Sequence, residues 1–226
     1  MKRYIKLSYN ISGDTPLYPE TPPVIIEKVK EISKGNSCNT SIINISSHTG
    51  THIDVPRHFI DSGRAISDYS LEEFFFIRPL LIDCPKGIDE IIEIDDLAVL
   101  VDSPQADILL IRTGFQEYRN RDVNTYCFRN PCLSTDAARW IRKNFPCIRG
   151  LGIDCISVSS GINREMGRET HRILLTDNDF TGAAVLIVED MFLPSEINDL
   201  NEVIVSPIFI EGLDGAPCTV IGIIED

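Results

Sequence analysis

Three of the four histidines in this 226-residue chain fall within eleven positions, in His48-Thr-Gly-Thr-His52-Ile-Asp54-Val-Pro-Arg-His58. That run restricts the local fold more than any other stretch. A helix is excluded, because Thr49, Thr51 and Ile53 are β-branched, Gly50 disfavours helix and Pro56 would end one. In an extended chain, residues 48, 50, 52 and 54 share one face, since side chains alternate with a period of two. Fully extended, however, His48 and His52 stand about 13 Å apart at roughly 3.3 Å per residue. Two imidazole nitrogens on one cation each lie only about 2.0–2.1 Å from it. The segment must bend to gather its donors, and Gly50 tolerates the backbone angles a bend demands. Gly50 also places no side chain between the two imidazoles, which leaves room for an ion. A bent or bulged strand end with a metal in its crook is expected.

Imidazole and carboxylate donors together suit Zn²⁺, Mn²⁺ or Fe²⁺. One segment supplies too few of them. His171 is the remaining histidine and the natural distant ligand. Glu189 ends an apolar run, Ala183 to Val188, of the kind that forms a buried strand, and a carboxylate there needs a partner. Strand-end solvation is the alternative at that position. Unconnected surface or core histidines would explain one such residue, but not three with an aspartate at this spacing.

The first 25 residues, with Pro16, Pro19, Pro22 and Pro23, read as an extended arm. Strands are expected over 24–29, 40–46, 78–83, 107–113, 148–153, 185–189, 203–207 and 219–224. Short helices are expected over 67–75 and 95–101. The clearest helix is capped by Ser134, runs to Asn144 and is stopped by Pro146. Strand, helix and strand in succession argue an α/β fold with a mixed sheet. No linker or repeat divides residues 1–226, and a single domain is expected. Phe74, Phe75 and Phe76 read as core or subunit contact rather than a substrate box.

With 21 basic against 34 acidic residues the formal charge is −13. Such a surface repels nucleic acid and anionic membrane, and points to a small-molecule substrate instead. Seven cysteines without a C-x-x-C pair read as reduced thiols. The chain shows no secretory h-region and no apolar run near the roughly 18 residues a membrane span needs, so a cytoplasmic protein is expected. Ser157, Ser159 and Ser160 do not form G-x-S-x-G, and no phosphate loop or G-x-G-x-x-G occurs.

The run from His48 to Phe59, H-T-G-T-H-I-D-x-P-x-H-F, resembles the signature of the cyclase family of metal-dependent hydrolases, the kynurenine formamidase and isatin hydrolase type. Leu7-Ser8 with Thr15 to Pro19, Gly152-Ile153-Asp154 with Ser157, His171 to Leu175, and Val188-Glu189 extend the resemblance along nearly the whole chain. It implies a swivelling β/β/α fold assembled as homodimers or homotetramers. It implies one or two divalent ions, Zn first and Mn as the alternative. His48, His52 and Asp54 match ligands, with Asp54 able to bridge two ions, and His171 and Glu189 match the ligands that complete the site. His58 matches the catalytic histidine. Six residues past His52 and beyond a proline, it is placed to face substrate as a proton shuttle, with a fourth-ligand role as the alternative.

The implied reaction is hydrolysis of a C–N bond in a small amide, arylformamide or lactam. The residues by themselves point only to metal-assisted hydrolysis. Ring closure, lactone chemistry or metal-dependent binding without turnover would use the same ligands. Two departures stand out. Thr176 to Ala184 is longer than expected between the paired ligands, which makes Asp177 or Asp179 alternatives to Glu189. Pro19-Glu20 stands where the family commonly shows Pro-Gly, so the substrate arm is expected to differ.

Overall fold

Residues 1–177 and 179–225 are described by the structure, a computed structural model. In chain order the strands are β1 (Lys2–Lys6), β2 (Ile25–Lys30), β3 (Thr40–Asn44), β4 (His52–Asp54), β5 (Phe75–Phe76), β6 (Pro79–Asp83) and β7 (Ile91–Ile92). They continue with β8 (Ile108–Arg112), β9 (Cys132–Leu133), β10 (Gly150–Ile153), β11 (Leu186–Glu189), β12 (Glu202–Pro207) and β13 (Gly215–Glu225). The helices are α1 (Tyr118–Arg121), α2 (Val123–Phe128), α3 (Thr135–Asn144) and α4 (Arg164–Leu175).

Nine strands form one mixed sheet in the order β5-β12-β13-β4-β11-β10-β8-β6, with β1 beside β13. Strands β6, β8, β10 and β11 run parallel. Parallel neighbours need crossover connections, and α3 and α4 lie in two of them. β4 is antiparallel to both β11 and β13, and so joins the parallel half to the antiparallel half. The α/β expectation, a mixed sheet flanked by helices, holds.

All five residues of β8 are buried, as befits a central parallel strand. The pleat sends Leu109 and Ile111 to one apolar core, with Leu151, Ile153, Ile141 and Leu174. It sends Ile108 and Leu110 to the other, with Ile53, Val188 and Val220. α3 begins as expected, with the Ser134 hydroxyl accepting the Ala137 N–H at 3.1 Å. It buries Ala137, Ala138 and Ile141.

Some elements differ from the sequence reading. The helix expected over 67–75 is two 3-10 turns, Ile66–Asp68 and Leu71–Phe74. Glu73 accepts the Ser70 N–H at 2.9 Å and closes the second turn. The helix expected over 95–101 is a 3-10 run, Ile94–Asp102. The N-terminal arm opens with β1, which pairs with β13. Phe74 and Phe76 are buried and Phe75 is half-exposed, which makes the aromatic run mainly core. β2 and β3 form a separate hairpin, exposed along its whole length.

α4 was not anticipated. Its buried residues are Gly167, Thr170, His171, Ile173, Leu174 and Leu175, a helical stripe. Glycine, threonine and histidine carry half of that stripe, so its apolar signal is weak. Gly167 is there for contact. A Cβ on it would stand 2.1 Å from the Ser159 Cβ, so only glycine lets α4 lie this close to the segment after β10.

Candidate active site

β4 is three residues long because the chain turns sharply before it. Gly50 has φ +63°, the left-handed region that glycine enters freely. The bend expected there is present. Its second expected role is not, since a Cβ on Gly50 would meet Ile11 Cγ1 at 3.2 Å and not a space between the imidazoles. Sheet register does the rest. His52 lies opposite Glu189 on β11, and Asp54 lies opposite Gly215 on β13. α4 adds His171 from the third side.

The five expected ligands converge in one cluster. His48 Nδ1 is 2.8 Å from Asp54 Oδ1. His52 Nε2 lies 3.5 Å from both Asp54 Oδ1 and Glu189 Oε2. His171 Nε2 lies 3.6 Å from Asp54 Oδ2 and 3.4 Å from Glu189 Oε1. Each imidazole is held from behind through its other nitrogen. His52 Nδ1 donates to the Gly50 carbonyl at 2.8 Å, His171 Nδ1 to the Gly167 carbonyl at 2.7 Å, and His48 Nε2 to Asp214 Oδ2 at 2.7 Å. Such outer contacts fix ring orientation and tautomer. Glu189 Oε1 accepts the Ser157 hydroxyl at 2.8 Å and the Val158 N–H at 2.7 Å. The next residue, Asp190, turns at φ +51° and is buried. Two bonds from Arg119, at 2.7 and 2.8 Å, and one from Tyr126 at 2.6 Å lock that corner.

One buried atom in the cluster has no hydrogen-bond partner among the described residues. Asp54 Oδ2 is buried and accepts no hydrogen bond, a costly state for a carboxylate. Three aimed imidazole nitrogens and two carboxylates, one of them with a bare buried oxygen, are the donor set that divalent zinc or manganese takes. The residues therefore fit a divalent ion. Electrostatics agree. Burial alone would depress the His48 pKa, yet the Asp54 and Asp214 carboxylates outweigh it and raise it to about 10. His52 and His171 are likewise lowered by burial but raised more by Glu189 and Asp54. Burial pushes Asp54 upward, and the surrounding imidazoles, His48 first, hold it well below the ordinary carboxylate range.

His58 sits on the 3-10 turn Pro56–His58, directly beyond β4. Its Nδ1 donates to Asp214 Oδ2 at 2.9 Å, and its ring lies 4.0 Å from that of His48. Its donor atom is also within 4.8 Å of those of His48 and Asp54, so both expected roles are geometrically open. Asp177 and Asp179 are not in the cluster. Asp177 accepts the Ala184 N–H at 2.9 Å beside Arg64 and Tyr69, and Asp179 lines a different cleft with Lys143 and Phe180.

Asp214 escaped the sequence reading. It precedes β13, accepts from both His48 and His58, and takes the Ser47 hydroxyl at 3.1 Å. An aspartate before glycine reads only as a turn. Gly215 is needed where it stands, because a Cβ there would lie 2.6 Å from the Ile53 carbonyl oxygen and 3.0 Å from His48 Cε1.

The cluster forms the floor of a cavity of about 300 Å³, lined also by Tyr18, Glu20, Phe59, Ile156, Arg164 and Arg168. Phe59 stacks on His171 at 4.7 Å. The cavity opens beyond the carboxyl ends of β10 and β11, where open α/β sheets commonly bind ligands.

Residues 5–160 match the family described as putative cyclase. Over 222 residues the chain is 28% identical to a kynurenine formamidase of Geobacillus thermodenitrificans, covering 96% of this chain and 95% of that protein. Isatin hydrolase A from Labrenzia aggregata, solved bound to benzyl benzoate, superposes with a TM-score of 0.84 at 20% identity, over 100% of this chain and 94% of that one. A potential metal-dependent hydrolase with cyclase activity superposes with a TM-score of 0.77 at 24% identity, over the whole of both chains. The α/β fold expected from the sequence, a mixed sheet flanked by helices, is the one these structures share.

Proposed function

The chain belongs to the cyclase family, and from that premise we propose that it hydrolyses the C–N bond of a small amide, arylformamide or lactam with a divalent metal. One observation carries the reading: Asp54 Oδ2 is buried and bare among imidazole nitrogens already aimed by outer contacts. In this reading His48, His52, Asp54, His171 and Glu189 hold the metal, zinc before manganese, as one or two ions. A divalent ion held there lowers the pKa of water toward about 7 and polarises a carbonyl.

The protein's own groups supply the remaining chemistry. His58 gives its Nδ1–H to Asp214, which leaves Nε2 to the cavity that the ring lines. That nitrogen takes a proton from the attacking water and hands it to the departing nitrogen. Water adds to the carbonyl carbon, the C–N bond breaks, and a carboxylic acid and an amine leave. Tyr18, Phe59 and Ile156 give the cavity an apolar wall suited to an aryl group.

Residues 1–226 form one functional unit in this reading, and the exposed β2–β3 hairpin is its subunit interface in a homodimer or homotetramer. Its seven free thiols suit a reducing cytoplasm. Among the described residues, no helix is long and apolar enough to cross a membrane.

The test is elemental analysis of purified protein beside His48→Ala, followed by formanilide, isatin and a phenyl ester as substrates. Near-stoichiometric metal lost in the variant, with metal-dependent amide cleavage, is expected. Protein that retains no metal, or that cleaves only the ester, contradicts the proposal.

A further inference from the structure

We infer that Arg119 is a positioning residue for the metal site: its grip on Asp190 sets the spacing between His52 on β4 and Glu189 on β11. The inference rests on the ligand set proposed above and extends it to residues outside the cavity, since Arg119, Tyr126 and Asp190 do not line it.

Asp190 directly follows Glu189, where β11 ends. Its φ of +51° lies in the left-handed region, which few residues with a Cβ enter. That turn gives the Asp190 backbone to two neighbours. Its carbonyl accepts the Thr51 hydroxyl at 2.5 Å, and Thr51 immediately precedes His52. Its N–H donates to the Cys155 carbonyl at 2.7 Å, two residues before Ser157, whose hydroxyl holds Glu189 Oε1. Thr51 has little slack of its own. Its hydroxyl oxygen accepts the Tyr9 N–H at 3.0 Å, and its carbonyl accepts the Cys218 N–H at 2.9 Å. A rotation at Asp190 therefore displaces His52 and Glu189 against each other.

Buried charge holds Asp190 in that turn. Asp190, Arg119 and Tyr126 are 0%, 6% and 0% exposed. Arg119 of α1 gives the carboxylate two parallel bonds, Nε to Oδ1 and Nη2 to Oδ2, and the Tyr126 hydroxyl of α2 adds a third to Oδ1. The guanidinium also lies over the Tyr9 ring, 3.7 Å from its centroid. Desolvating such a pair offsets most of its attraction, so its net stabilisation is small. Its geometry is narrow, because a planar fork on a carboxylate admits one orientation. An apolar corner would pack as well without fixing the turn. The network supplies direction, and the residues it directs flank two proposed ligands.

The experiment uses full-length protein, stripped and reloaded with Zn²⁺ or Co²⁺. Chelator competition gives the Zn²⁺ affinity, and visible absorption of the Co²⁺ form reports ligand geometry. Arg119→Lys keeps the charge and loses the fork. It should bind Zn²⁺ about 10–100-fold more weakly and shift the Co²⁺ bands. Asp190→Asn should also lose affinity, and the double variant should lose little more than the worse single, since both act through one contact. Arg112→Lys is the control. It breaks a fork of the same kind, on Asp83, and should leave affinity and spectrum unchanged even where it lowers the melting temperature. Where Arg119→Lys does not fold, Tyr126→Phe decides: it removes one hydroxyl from the same carboxylate and should cost affinity about threefold or more. Unchanged affinity and spectrum in the folded variant overturn the inference, and so does an equal loss in Arg112→Lys. Metal binding that depends on Arg119, without cleavage of any amide, would uphold the inference and overturn the hydrolase reading. A parent protein that holds no metal overturns both.

Discussion

Asp214 accepts His48 Nε2 and His58 Nδ1 on the same carboxylate oxygen, so one side chain steadies a proposed ligand and the proposed proton shuttle together. Asp214→Ala is expected to weaken metal affinity about 10–100-fold, the usual cost of losing an outer contact to a ligating histidine. Competition with a fluorescent chelator measures it, and unaltered affinity would reduce Asp214 to a surface turn residue. His58→Ala should behave differently, with turnover down about 10²–10⁴-fold and metal content intact. Loss of metal in that variant would make His58 a ligand. These residues were unequally visible in the sequence. His48, His52, Asp54 and His58 sit in one short run, and the run announces itself. Asp214 lies 166 positions from His48, and nothing local distinguishes it from a turn aspartate.

At the scale of elements, strands were legible and the helix that matters most was not. Apolar runs such as the Ile-Leu-Leu-Ile that opens β8 have no other good use than a buried strand. α3 carried a serine cap and a proline stop. α4 carries neither, because Asn163 at its start makes no side-chain capping bond, and its buried stripe is half polar or glycine. His171 was therefore placed by residue type and by the family resemblance, without the helix that aims it. Gly167 is the test of that helix. Gly167→Ala puts a Cβ 2.1 Å from the Ser159 Cβ and should destabilise the protein by about 1–3 kcal/mol through overpacking. Thermal unfolding measures this. An unchanged melting temperature would mean that α4 has slack against the segment after β10.

At the scale of the whole molecule, the β2–β3 hairpin presents an uncovered apolar surface. Ile25, Ile26, Val29, Ile42 and Ile43 of the β2–β3 hairpin are about half exposed or more, and a two-stranded hairpin is marginal by itself in water. A second copy of the chain covers it in our reading. Ile43→Glu should then reduce the mass seen by light scattering, and an unaltered assembly would place the interface elsewhere. Protons form the second global property. His48, raised to about 10 from 6.5, contributes stability that is whole below pH 6.5 and fades as pH climbs toward 10. Asp54 and Asp214, held below their ordinary 3.8, contribute stability that is whole above pH 3.8 and lost on further acidification. Chelator-stripped protein should therefore melt lower at pH 9 than at pH 6, while metal-loaded protein, its imidazoles deprotonated by the ion, should change less. Equal slopes in a pH series of melting curves would refute this. The donors themselves span His48 to Glu189, and Asp214 follows them, directly before the strand that pairs with β4. A growing polypeptide on the ribosome thus cannot gather all five proposed ligands around one ion until Glu189 has been added, so the metal cannot seed folding from the His48–Asp54 segment alone.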